Sequence, residues 1–226
     1  MAKIEYIGVT QLRIDEANPR IAEAPRGQNA AIEAVARDQK EKLVVLAEDI
    51  VEHGVNPSDL PLVVPDTKHK QDYVVLEGNR RVTALKVLET PSLVENALPE
   101  RLIVRLKKLS VRFHKNRISE LRCTILGSRE EANHWIQLRH TGENCGAGIV
   151  TWGAAESARF RERSGEEKQP HVQVLDFLQE RGAITEELRA KVPITSLNRL
   201  IGTAHVRSKL GLDLERGVIG TRYDEK

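Results

Sequence analysis

Hydrophobic residues in the first half of this chain switch repeatedly between two rhythms. IEYIGVTQLRI, residues 4–14, reads as a short strand. The triplet Asn18-Pro19-Arg20 breaks it, because proline has no N–H to give to a sheet. From Asn29 to Gly54, residues Ile32, Val35, Leu43, Leu46, Ile50 and Val51 follow helical spacing, which predicts two helices with Gly54 ending the second. LPLVVPD and DYVVLEG, separated by the polar TKHKQ, predict two further strands. VTALKVLET returns to helix until Pro91 stops it. Leu102, Ile103, Leu106, Leu109 and Phe113 mark another amphipathic helix, and LRCTIL another strand. SREEANHWIQLRH reads as a helix with Ser128 at its N-cap and Glu131 three residues on. After the glycine-rich TGENCGAGIVTWG, the chain from Ala154 to Leu212 predicts helices punctuated by SGEEKQP, RGAIT and VPITS. Strands mixed with helices, then helices alone, predict an α/β (or α+β) domain over residues 1–126 and a mostly helical domain over 127–226.

Composition narrows the function classes. With 226 residues, 40% hydrophobic and 30% charged, the chain is long enough to bury a real core. No run approaches the roughly 18 apolar residues of a membrane span, and MAKIEYIGV lacks the basic and apolar regions of a secretory signal. A cytoplasmic protein without a membrane partner is expected. Cys123 and Cys145 are too few for a disulfide framework or a zinc site, and the seven histidines form no H-E-x-x-H pattern. The sequence ends GVIGTRYDEK without a terminating element, which admits a longer parent chain.

The net charge is only +2, so any signal for nucleic acid must be local. Between Arg101 and Arg122 it is: Arg101, Arg105, Lys107, Lys108, Arg112, Lys115, Arg117 and Arg122 stand against the single acid Glu120. Two readings stay open: a solvated helix surface, or a sequence-blind phosphate-contacting face for DNA, with Arg101, Arg105, Lys107, Lys108, Arg112 and Lys115 as its contacts.

Chemistry concentrates in YVVLEGNRRVTALKVLE, residues 73–89. A strand delivers Gly78 into a turn where backbone N–H groups can approach a ligand without an intervening Cβ. The following helix adds its positive end, and Arg80 and Arg81 supply forked donors suited to phosphate oxygens. The bland counterpart is a surface turn with arginines.

The order of these pieces, from Asn18-Pro19-Arg20 through LVVLAEDIVEHGV and LPLVV to YVVLEGNRRVTALKVL, resembles the N-terminal domain of ParB-type partition proteins within the ParB/sulfiredoxin superfamily. The resemblance covers roughly residues 7–140. It implies a ParB/sulfiredoxin-like fold binding a nucleoside triphosphate, CTP or ATP, with Mg2+ as an accompanying ion. Gly78, Asn79, Arg80 and Arg81 would hold the phosphates, Arg20 would approach from the N-P-R turn, and Glu77 would point into the same region. DNA and a second copy of the chain follow as implied partners.

Departures from the family pattern redirect the chemistry. Asn79 stands where the family usually has glutamate. The family's E-N-x-x-R box should fall near WIQLRHTGEN, where this chain has Arg139-His140. That pair could contact phosphate but cannot ligate magnesium as glutamate does; equally, it could be a helix C-terminus carrying positive side chains. The long Ile21 to Lys40 segment and the basic segment further resemble divergent ParB-like proteins of plasmids, prophages and defence islands. ITEELRAKVPITSLNRLIG could form a helix-turn-helix with Thr195 or Ser196 as cap and Asn198 and Arg199 outward, or a bundle with Leu188, Val192, Leu197, Leu200 and Ile201 in its core. These features together point to a nucleotide-dependent switch. The alternative is a metal-dependent nuclease or triphosphatase, for which Glu77, Glu143 and Asp72 are the nearest acids and no residue is singled out as catalytic.

Overall fold

The first apolar run is two strands. The computed structural model describes residues 2–21, 25–165, 168–215 and 217–221. In it, β1 (Lys3–Gly8) and β2 (Leu12–Ile14) are separated by a 3-10 turn over Val9–Gln11. The Gln11 side chain accepts from the Gly8 N–H at 3.2 Å and donates to the Gln71 carbonyl at 2.9 Å, which pins the turn. As a result the two strands reach opposite edges of one sheet. After them come α1 (Gln28–Gln39), α2 (Glu41–His53), β3 (Leu62–Pro65), β4 (Tyr73–Glu77), α3 (Asn79–Glu89), α4 (Glu100–Phe113), β5 (Glu120–Ile125) and α5 (Arg129–His140).

The sheet order is β1-β5-β3-β4-β2. β1 and β5 are antiparallel, β5 and β3 parallel, β3 and β4 antiparallel, and β4 and β2 parallel. Alternation sorts the side chains by face. Leu12, Ile14, Val63, Val75, Leu121 and Cys123 enter a core with α1 to α4, whereas Leu62, Val64, Val74 and Leu76 gather against Ala132 and Ile136 of α5. α3 is buried along most of its length through Val82, Thr83, Ala84, Leu85, Val87 and Leu88, with Arg80 exposed near its start. α4 buries the expected stripe of Leu102, Ile103, Leu106, Leu109 and Phe113.

The described chain forms two compact units divided after Gly148, so α5, expected in the helical part, belongs to the sheet unit. The second unit contains α6 (Ala154–Arg163), α7 (Pro170–Glu180), α8 (Glu186–Lys191), α9 (Ile194–Gly202) and α10 (Ala204–Lys209), then an unexpected hairpin of β6 (Leu212–Glu215) and β7 (Val218–Thr221). Gln173 of α7 holds that hairpin, donating to the Gly217 carbonyl at 2.7 Å and accepting from the Ile219 N–H at 2.9 Å. SGEEKQP falls partly, and the terminal RYDEK wholly, outside the described residues. Among the described residues, no helix is long and apolar enough to cross a membrane.

Candidate functional site

A cleft of about 650 Å³ opens in the first unit, and all eight residues nominated from the sequence line it: Arg20, Glu77, Gly78, Asn79, Arg80, Arg81, Arg139 and His140. The N-P-R turn forms because the Asn18 side chain accepts from the Arg20 N–H at 3.0 Å, while the Ile21 N–H donates to the Asn18 carbonyl at 2.9 Å. That turn leaves Arg20 exposed at the rim. β4 ends at Glu77, and Gly78 takes φ 95° to start α3.

Glycine is required at 78 for conformation and packing. Its φ is one that L side chains resist, and an added Cβ would lie 3.2 Å from Pro61 Cβ. The close approach the sequence reserved for a ligand is made by Pro61. Asn79 is likewise internal: buried, its amide oxygen accepts from the Asp15 N–H at 3.0 Å and its nitrogen donates to the Leu76 carbonyl at 3.4 Å. A carboxylate could not make the second bond, which gives a structural reason for asparagine here.

The two adjacent arginines differ sharply. Arg80 is exposed and, among the described residues, bonds only the neutral Gln39, at 3.3 Å. Arg81 is only 12% exposed and pairs with the Asp59 carboxylate and carbonyl. Burial, then the nearby Arg139 charge, moves its pKa down from the ordinary arginine value. Arg139 reaches the same Asp59 carboxylate and lies 3.5 Å from Glu77, and His140 Nε2 lies 2.7 Å from the other Glu77 oxygen. Arg81, Asp59, Arg139 and Glu77 thus alternate in charge along one chain, with His140 in contact with its Glu77 end.

Asp59 was not legible in the sequence, where it is one polar residue in the turn before β3; Asp38 and Asp49 also line the cleft. Four carboxylates therefore balance four arginines in the lining. Of the acids considered beforehand, only Glu77 is in the cleft, since Asp72 pairs with Arg13 at 3.5 Å and Glu143 is not among the lining residues. Val35, Leu46, Ile50 and Val55 give the cleft an apolar wall. The arrangement suits an anion with a flat apolar portion, with Arg20 and Arg80 as the arginines free of an acid partner among the described residues. Those residues hold no group of three or more His, Cys, Asp or Glu side chains able to form a metal cage. Cys123 is buried, with its thiol pushed up to about 12 by burial, and Cys145 is exposed in the glycine-rich loop outside the cleft lining.

The basic segment pairs with neighbouring acids at the surface, and most of its cations stay exposed. Arg101 pairs with Glu41 at 3.0 Å, Arg105 with Glu41 at 2.7 Å and also with Glu48, and Arg112 approaches Glu52 at 3.7 Å, so these α4 arginines face α2. Lys107 pairs with Glu95 at 2.7 Å. Only Lys108 and Lys115 of the six nominated contacts are exposed without an ion-pair partner among the described residues. In the second unit, α9 starts at Ile194 with Pro193 before it, so Thr195 and Ser196 lie inside the helix; Thr185 caps α8. Asn198 and Arg199 are both exposed, and the Asn198 amide oxygen accepts from His171 Nδ1–H at 3.1 Å. Leu188 and Leu200 are exposed, leaving Ile201 as the fully buried member of the expected core set.

No family model matches this sequence, and no curated protein matches it. Among solved structures, the chain is similar to the C-terminally truncated chromosome-partitioning protein ParB from Caulobacter crescentus complexed with CTP-gamma-S. The identity is 13% and the TM-score 0.46, over 91% of this chain and 96% of that one.

Proposed function

We propose that the cleft binds a nucleoside triphosphate, CTP or ATP, and that the protein is a nucleotide-dependent, DNA-associated switch. The observation that carries this reading is the convergence of Arg20, Arg80 and the start of α3 on one cleft that also has an apolar wall. Arg20 and Arg80 take the phosphates, helped by the positive end of α3, and the base lies toward Val35, Leu46 and Ile50. Magnesium comes with the triphosphate and is held mainly by phosphate oxygens and water, since the described residues form no carboxylate cage. The switch is α5. Phosphates compete with Asp59 and Glu77 for Arg139 and His140, so a bound nucleotide shifts the equilibrium between two positions of the α5 C-terminus. DNA is met through Lys108 and Lys115 and through the α8–α9 pair, where Arg199 is exposed.

Thermal melting of the purified chain with CTP, ATP, GTP or UTP, each with and without magnesium, tests this. A ligand that binds only the folded state raises the melting temperature by mass action, so CTP or ATP should do so and Arg80→Ala should reduce the shift. Four nucleotides that leave the wild-type melt unchanged would remove the proposal.

A further inference from the structure

β1 is an outer edge of the five-stranded sheet, bonded to β5 on one side and to no other strand of the described residues. Its side chains sort by face. Ile7 is buried in the main core, so Glu5 and Lys3 share its face while Ile4 and Tyr6 share the other. Ile4 is 51% and Tyr6 71% exposed, and α5, which covers this second face of the sheet, packs against β4 rather than the β1 edge. Lys3 and Glu5 are exposed too, and neither has an ion-pair partner among the described residues. Edge strands are commonly blunted by charged side chains, especially lysine, by proline or by a bulge, and a charged edge admits a partner strand only where the charges are complementary. This one carries opposite charges two residues apart on one face and apolar side chains on the other.

We propose that β1 pairs antiparallel with β1 of a second copy of this chain, about a two-fold axis through Ile4. Lys3 of each copy then stands opposite Glu5 of the other, Ile4 meets its own counterpart, and Tyr6 lies across from Ala2. The charges select this register. An axis through Glu5 would set two carboxylates against each other, and one through Lys3 two ammonium groups, which cross-strand pairing penalises. A shift by a single residue in pairing would mix the faces. The contact is isologous, so it closes at two copies and joins both sheets without leaving a free β1 edge. It needs no ligand in the cleft. A five-residue ladder is small, so the dimer is a weak one that forms as concentration rises.

Sedimentation equilibrium of the full chain over a concentration series tests the pairing. The wild type should dimerise. K3E and E5K should each weaken association about tenfold, because two attractive cross-strand pairs become two repulsive ones. An equimolar mixture of K3E and E5K should associate as a heterodimer, since the acidic strand of one variant meets the basic strand of the other, and the double variant K3E/E5K should recover wild-type association. Ile4→Pro should leave a monomer, with unchanged circular dichroism showing that the fold survives. A wild type that stays monomeric at about 1 mM, or a dimer indifferent to both reversals and to their mixing, would overturn the proposal.

Discussion

Nε2 of His140 lies 2.7 Å from a carboxylate oxygen of Glu77, tying the last residue of α5 to the last residue of β4. Glu77 also faces Arg139. The two α5 side chains that the sequence offers to phosphate are thus already turned toward an acid, and a triphosphate entering the cleft meets that acid as a competitor. Glu77→Gln keeps the shape and removes the charge. Nucleotide affinity should rise by about 1–2 kcal/mol, a factor of roughly 5–30, as read by calorimetry. An unchanged or weaker affinity would mean that Arg139 and His140 do not serve the phosphates.

Arg80 and Arg81 should separate into binding and stability. Arg80 is exposed with one neutral partner, so Arg80→Ala should cost about 1.5–3 kcal/mol of nucleotide binding and leave the urea midpoint unmoved. Arg81 is largely covered and pairs with Asp59, whose side chain is 20% exposed. Its removal leaves the partly covered Asp59 carboxylate with Arg139 alone, and Arg81→Ala should lower unfolding stability by about 1–3 kcal/mol. Paired calorimetry and urea titrations on both variants check the split, and equal losses of stability would contradict it.

The α2–α4 charge network should behave as structure. Arg105 joins Glu41 and Glu48 across the two helices, half-exposed, so Arg105→Ala should cost about 0.2–1 kcal/mol at low salt and less as salt screens the network. Duplex DNA binding should respond instead to reversal of Lys108 and Lys115, with a flatter salt dependence in the double variant. Fluorescence anisotropy over a salt series distinguishes this from the reverse pattern, in which Arg101 and Arg105 control DNA affinity.

Periodicity made most of the first unit readable, because its elements obey one rhythm each. The α4 stripe from Leu102 to Phe113 and the Ser128 cap, which accepts from the Glu131 N–H at 3.4 Å, are local features. The division of residues 3–14 is different in kind. It depends on Gln11 reaching Gln71, sixty residues away, and no local rhythm reports that. The hairpin after Gly211 is held by Gln173 in the same long-range way. In the cleft, residue types in order were enough to nominate the lining, yet not to say which arginines were free. Only the fold brings Asp59 to Arg81 and Arg139, and α2 acids to α4 bases. A charge run in sequence carries no record of its counter-ions.

His171 should make the second unit sensitive to acid. It is buried on α7, its Nδ1 donates to the Asn198 amide oxygen of α9, and Nε2 has no hydrogen-bond partner among the described residues. Burial pushes its pKa below the ordinary 6.5; the Asn198 bond opposes that and the Arg161 charge adds to it. The folded state therefore favours neutral imidazole, whereas the unfolded chain takes up a proton near 6.5. Below that pH the unfolded state holds more protons, so stability is complete above about 6.5 and falls on acidification, by at most about 1.4 kcal/mol per pH unit from this one group. Trp135 and Trp152 are the two tryptophans of the chain, so Trp135→Phe leaves Trp152 of the second unit as sole reporter. Its fluorescence melt should move to lower temperature from about pH 7.5 to about pH 5. His171→Gln in the same background should flatten that dependence, because glutamine can still bond Asn198 and does not titrate. An equally steep loss in His171→Gln would place the acid-sensitive group elsewhere.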